Sequence, residues 1–333
     1  MTFQGALRQV IAAQRRAARD AERRQKQHAR ALKLQAKADE LERAAAEVEE
    51  FEERVQQLTS IHQSVGESID WAELREKSEP AAPQKLDRWE KAAIAARDNF
   101  KPSLFQRLFG SEQKVRSKLD QKISTGKDRD EVSFQGALKL YQQQLEQWQE
   151  STKLAAGVLD RVTAAYKQAL DELEPLSEIQ EIGCVCDLSF PDGYTGEVNL
   201  SIEGEKVVPR ESKSLTRTGK LSVKPLPQAK FYELYQDYVC GCALRTGREL
   251  FSFLPLTRVI VNIKAALLDS ATGHLREQTI LSVGMPRATL EGMNFAAADP
   301  SDAMALFPHR MGFKRSQGFS PVKPLSPSEY PKI

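Results

Sequence analysis

Residues 134–173 read FQGALKLYQQQLEQWQESTKLAAGVLDRVTAAYKQALDEL. The large apolar residues Phe134, Leu138, Tyr141, Leu145, Trp148, Leu159, Val162, Tyr166 and Leu173, with Ala155 and Ala169 between them, recur alternately four and three apart, and Thr152 is a polar lapse. This rhythm keeps one seam of a helix facing a neighbour for about 60 Å at the α-helical rise per residue. A greasy edge that long needs a mate. Near the N-terminus Leu34, Leu41, Val48 and Val55 fall seven apart, and Ala44, Phe51 and Leu58 take the alternate positions. The spacing therefore predicts a helical, coiled-coil stalk in which 111–174 pairs with the charged helix 1–62. The seam would serve a protein partner or a second copy of the chain.

At 333 residues the chain has room for two domains. It is 41% apolar and 28% charged, as expected of a protein rich in long helices. No stretch approaches eighteen uninterrupted apolar residues, and no apolar leader opens the chain. The expectation is a cytoplasmic protein without membrane contact. Four cysteines in this length do not make a disulfide framework.

The net charge of +2 conceals a polarity. Residues 1–37 hold ten Lys or Arg against Asp20 and Glu22, whereas 38–60 hold eight acids against Arg43 and Arg54. One reading is a solvated helix whose charge blocks pair with neighbours. The other lays the basic end, Arg15, Arg16, Arg19, Arg23, Arg24, Lys26 and Arg30, along DNA phosphates, where counterion release supplies affinity. No aromatic residue lies between Phe3 and Phe51, so stacking on unpaired bases finds no support there.

Gly66, Pro80 and Pro83 punctuate a connector over 63–110, with a short amphipathic helix at 84–98 and an apolar knot at Leu104, Phe105, Leu108 and Phe109. Gly126 is a site to bend or interrupt the helix that follows. Beyond Pro175 helical spacing gives way to alternation. Val185–Phe190 and Glu197–Ile202 read as strands about a Pro-Asp-Gly turn, 228–253 as a helix, and 259–268 and 279–283 as further strands. The sum over 175–308 is an α+β module, a small antiparallel sheet packed by a helix, with a Pro-rich basic tail, 309–333, extended and loosely held.

Asp192, Glu211 and Lys213 have the form of a metal-dependent nuclease signature, in which carboxylates hold magnesium and the lysine helps activate water. Here the aspartate falls in a predicted turn and the Glu-Ser-Lys in a polar stretch. Cys184, Cys186, Cys240 and Cys242 include enough thiols for a zinc site. On the predicted helix, however, residues 240 and 242 would stand about 200° apart, which favours buried small side chains over a metal. No phosphate-cradling glycine loop is present and no cofactor is expected.

Taken with Leu104-Phe-Gln-Arg-Leu-Phe-Gly110, Glu205-Lys-Val-Val-Pro209, Ala243-Leu-Arg-Thr246 and Asp269-Ser-Ala-Thr-Gly273, the layout resembles the non-catalytic N-terminal region of bacterial Mrr-type restriction endonuclease-like proteins. The resemblance implies a charged coiled coil, an apolar knot opening a long helix, and an α+β accessory module. The family's nuclease domain would follow near residue 310 with its Gln-x-Lys strand, which has no counterpart before Ile333. The expectation is therefore a non-enzymatic interaction protein of the defence type. A magnesium-dependent nuclease and a purely structural coiled-coil adaptor are the alternatives.

Overall fold

The computed structural model describes residues 3–66, 68–103, 111–177, 184–269 and 271–329, with side chains from Arg23 onward except that of Ser328. The apolar knot at 104–110 lies outside the described residues. The chain divides into two compact units, one built from 1–67 and 175–333 and the other from 68–174.

The first unit begins with α1 (Phe3–Ser60), a helix of 58 residues. Strands β1 (Val185–Asp192), β2 (Thr195–Ser201), β5 (Arg258–Leu268), β6 (Leu275–Pro286), β7 (His309–Lys314) and β8 (Gly318–Ser320) form one sheet, in the order β1-β2-β5-β6-β7-β8. A separate hairpin joins β3 (Glu211–Leu215) to β4 (Leu221–Pro225). The sheet is mixed, which corrects the expected antiparallel one: β2 and β5 run parallel, Val198 opposite Val261 and Leu200 opposite Ile263. The cause is the long connection between them, since parallel neighbours need a crossover and here α6 (Gln228–Phe253) supplies it.

Helix α6, over the stretch predicted helical, is buried nearly all round. It packs on β5 and β6, while α1 and the short α7 (Pro300–Ala303) also pack against it. A methyl at Gly247 would stand 2.7 Å from the Met285 methyl, and one at Gly241 would stand 2.5 Å from Ile61. These two glycines are what allow so close an approach.

Over its described residues, 309–329, the tail is not loose. It contributes β7 and β8, and the backbone N–H of Val322 donates to the Thr279 carbonyl at 2.8 Å. Beyond β8, Leu325 N–H donates to Ser282 Oγ, whose own hydroxyl donates to Asn262 Oδ1. These bonds extend a buried polar row across the sheet and tie down a segment that composition alone reads as free.

The second unit is helical: α2 (Trp71–Glu76), α3 (Arg88–Asp98), α4 (Glu112–Leu159) and α5 (Thr163–Leu173). The predicted uninterrupted helix over 134–173 breaks at Asp160–Val162, where Arg161 takes a left-handed φ of 60°. Glu174, also left-handed, and Pro175 then end α5 as anticipated. Gly126 does not interrupt α4, which runs through it from Glu112 to Leu159. It admits α3, because a methyl there would lie 2.8 Å from the Trp89 carbonyl oxygen. One turn on, the Asp130 carboxylate accepts from the N–H groups of Trp89 and Glu90 at 3.2 and 2.9 Å, satisfying the first turn of α3 from across the interface.

Candidate nucleic-acid interface

Helix α1 has two chemically different halves. From Leu41 to His62 it lies against the α+β body: Ala44, Val48, Leu58 and His62 are buried, and Leu41, Phe51 and Val55 are half-buried. From Arg23 to Glu40 every residue is exposed. The anchoring is polar as well as apolar. Arg54 donates to the Val207 carbonyl at 3.2 Å, Lys213 meets Glu47 at 3.1 Å, and Lys220 stands 3.8 Å from Glu40.

Past the end of α1, one side of α6 forms a clamp. Arg248 donates to the carbonyls of His62 and Gln63 at 2.6 and 2.9 Å, satisfying acceptors in the turn that follows α1. The buried Arg245–Glu249 pair, 2.9 Å apart, holds the next segment. Glu249 accepts the Gly66 N–H at 3.0 Å, and Arg245 donates to Ser64 Oγ. The lower half of α1 is thus fixed and its upper half stands clear. Of the residues predicted to contact DNA, Arg23, Arg24, Lys26 and Arg30 are exposed on that upper half. Arg15, Arg16 and Arg19 belong to the same helix, but their side chains lie outside the described residues.

In the helical unit Phe134, Leu138, Tyr141, Leu145, Trp148 and Leu159 are half-buried, Tyr166 is buried, and Val162 and Leu173 are exposed. Helix α4 packs against α3, α2 and α5, and Trp148 Nε1 donates to the Lys77 carbonyl at 2.7 Å. Trp71, Leu74, Leu154, Val162 and Leu173 line an open groove of about 760 Å³ beside α5.

The nuclease-like residues are engaged separately. Asp192 closes the β1–β2 turn, accepting from the N–H groups of Tyr194 and Thr195 at 2.8 and 2.6 Å, with Arg258 3.7 Å away. Burial raises its pKa, but these hydrogen bonds outweigh it and hold the carboxyl below the usual range. Glu211 and Lys213 sit on β3, in the separate hairpin, where the lysine is occupied by Glu47. Asp192 instead borders a cavity of about 640 Å³ with Tyr194, Arg258 and Glu291, in which neither Glu211 nor Lys213 takes part.

Cys184, Cys186, Cys240 and Cys242 are free thiols. Cys184 lies 3.7 Å from the Tyr238 hydroxyl and is hydrogen-bonded to Cys242, the main influence lowering its pKa. Cys240 turns away to Met311, 3.9 Å off, and burial pushes the Cys186 thiol up to about 12. Two residues on a helix do point apart as their spacing requires. Among the described residues no group of three or more His, Cys, Asp or Glu side chains is placed to hold a metal ion, and no helix is long and apolar enough to cross a membrane.

Sequence reasoning missed the β3–β4 hairpin, whose polar residues gave no alternation to read, and the clamp on α6, whose charged residues sit within an apolar helical pattern. No protein-family profile, no curated protein and no solved structure matches the chain.

Proposed function

We propose that the chain is a non-enzymatic interaction protein, similar to the accessory region of bacterial Mrr-type restriction endonuclease-like proteins and acting in the cytoplasm. It would hold DNA phosphates through the upper half of α1 and a protein partner or second copy through the half-covered seam of α4. The observation that carries the reading is a helix fixed at one end by an internal clamp and exposed, over Arg23–Glu40, on every side. An exposed helix with little apolar surface and a concentrated positive charge offers a partner charge and little else.

The magnesium-nuclease alternative draws no support from Asp192, which caps a turn, or from Lys213, which is paired with Glu47. A purely structural adaptor would show no affinity for nucleic acid. Fluorescence anisotropy with a labelled duplex tests the proposal: affinity should fall by about 10²-fold or more between about 50 and 200 mM salt. Neutralising Arg15, Arg16, Arg23 and Arg24 should weaken binding without changing sequence preference. Binding indifferent to salt, or absent at low salt, removes DNA from the function.

A further inference from the structure

The upper half of α1 is more ordered in its chemistry than a charge count conveys. Arg16, Arg19, Arg23, Lys26, Arg30, Lys33 and Lys37 fall three and four apart without interruption, and no acid enters the series. Continued toward the C-terminus, the same rhythm becomes Leu41, Ala44, Val48, Phe51, Val55 and Leu58, the face pressed against the body. One side of one helix is therefore apolar where it meets its own domain and cationic where it projects beyond it. A straight helix drifts about 20° per heptad from such a repeat, so three heptads leave the cations in one stripe. From residue 16 to residue 37 that stripe is about 32 Å long.

The β3–β4 hairpin lies where the two chemistries meet. Its turn is closed by Gly219 N–H on the Thr216 carbonyl at 2.9 Å and Lys220 N–H on Thr216 Oγ1 at 3.0 Å. Gly219, at φ 78°, presses on Leu41, since a methyl there would stand 2.9 Å from the leucine Cδ2. The turn carries Arg217, exposed and two residues from Gly219, and the Leu41 that Gly219 touches is about one helical turn of α1 from Lys37.

We propose that this stripe and Arg217 together form a track for the phosphate backbone of double-stranded DNA, gripped without reading sequence. The inference rests on the DNA reading above and names its surface and its form of nucleic acid. Charge complementarity decides the occupant. A protein partner needs an apolar centre to its interface, and over three heptads this face offers only the single exposed Leu34 among its cations. A bilayer needs an apolar face to receive, which is also lacking. Single strands are held by aromatic stacking, and no aromatic residue lies on the arm after Phe3. The length of the stripe is close to one helical turn of duplex, about 34–36 Å.

The test compares two double variants of the full chain that each lose two positive charges. Arg23→Gln/Arg30→Gln removes two stripe cations, and Lys114→Gln/Lys118→Gln removes two exposed cations from α4. Glutamine keeps helix propensity, and circular dichroism should show all variants folded. With a fluorescein-labelled mixed-sequence duplex, the stripe variant should bind at least 10-fold more weakly and lower the salt slope by about 2, and the off-stripe variant should change affinity less than about 3-fold. Arg217→Gln should lower the slope by about 1. Equal losses in the two doubles would overturn the stripe in favour of diffuse charge, while leaving DNA binding intact. An unaltered Arg217→Gln would remove the hairpin from the track. If the stripe variant kept its DNA affinity but dissociated a dimer in sedimentation, the occupant would be the acidic segment of a second copy and the proposal would fail. Absence of duplex binding by the unaltered protein would refute the wider reading itself.

Discussion

His62 is buried at the end of α1, with Nε2 3.0 Å from the Ala298 carbonyl and no hydrogen-bond partner at Nδ1 among the described residues. Burial holds its pKa below the ordinary 6.5, outweighing the opposite pull of the Ala298 carbonyl and Asp299, and Arg248 adds to the lowering. A histidine depressed in the folded state binds fewer protons there than in the unfolded chain, so stability is lost as pH falls through 6.5. Asp237 has the opposite sign. Burial, then Asp299, pushes it up to about 6, so its contribution falls as pH rises from 3.8 toward that value. The histidine signature is therefore clearest from about pH 7.5 down to about 6. Urea midpoints should decline over that interval in the native protein and flatten in His62→Gln; an unchanged slope in the variant would assign the titration elsewhere. Gly126 makes a second residue-scale case. Alanine would gain about 1 kcal/mol of helix propensity, but its methyl meets the Trp89 carbonyl oxygen at 2.8 Å. Overpacking of that kind costs about 1–3 kcal/mol, so Gly126→Ala should lower the melting temperature of the helical unit rather than raise it.

At the scale of elements, the clamp on α6 decides whether α1 belongs to the body. The Arg245 and Glu249 side chains are only 6% and 3% exposed, so removing one leaves the other charged and buried. Breaking such a pair costs about 3–5 kcal/mol. Glu249→Ala should therefore destabilise the α+β body by that order in urea unfolding, and hydrogen exchange should speed up over residues 44–62. Unchanged exchange there would mean that the apolar face of Ala44, Val48 and Leu58 holds α1 alone. Charged residues on α6 are hidden in the sequence because they interrupt neither the apolar spacing nor the helix. Only the arrival of α1 on the far side of α6 turns Arg245 and Glu249 from surface groups into a buried lock, with the half-buried Arg248 beside it.

Over the whole molecule, the two units differ in how much they bury. The α+β body encloses α6 almost completely, together with Val198, Leu200, Ile260, Ile263 and Leu281. The helical unit buries Trp71, Leu154, Ala155, Val158, Tyr166 and Ala169, and leaves most of α4 half-covered or exposed. Since stability follows apolar area removed from water, calorimetry should resolve two transitions, the helical unit melting first. A single cooperative transition that survives Gly126→Ala intact would show the units to be thermodynamically coupled.

Where the pattern is local, the sequence was enough. The long helices apart from the break at Asp160–Val162, the strands of β1, β2, β5 and β6, the turn at Asp192 and the end of α5 at Glu174 follow from spacing, turn residues and breakers, which act between neighbours along the chain. The parallel pairing of β2 with β5, the tying of the tail to Ser282, the use of Gly126 as a crossing point and the locking of α1 by α6 did not follow. Each depends on which distant segments meet, and a residue's own spacing carries no record of its partner. Solvent exposure and charge along α1 could be read in order from the residues. That its basic stripe is continuous with the face it lays on its own domain required the tertiary contact that gives the helix an inside and an outside.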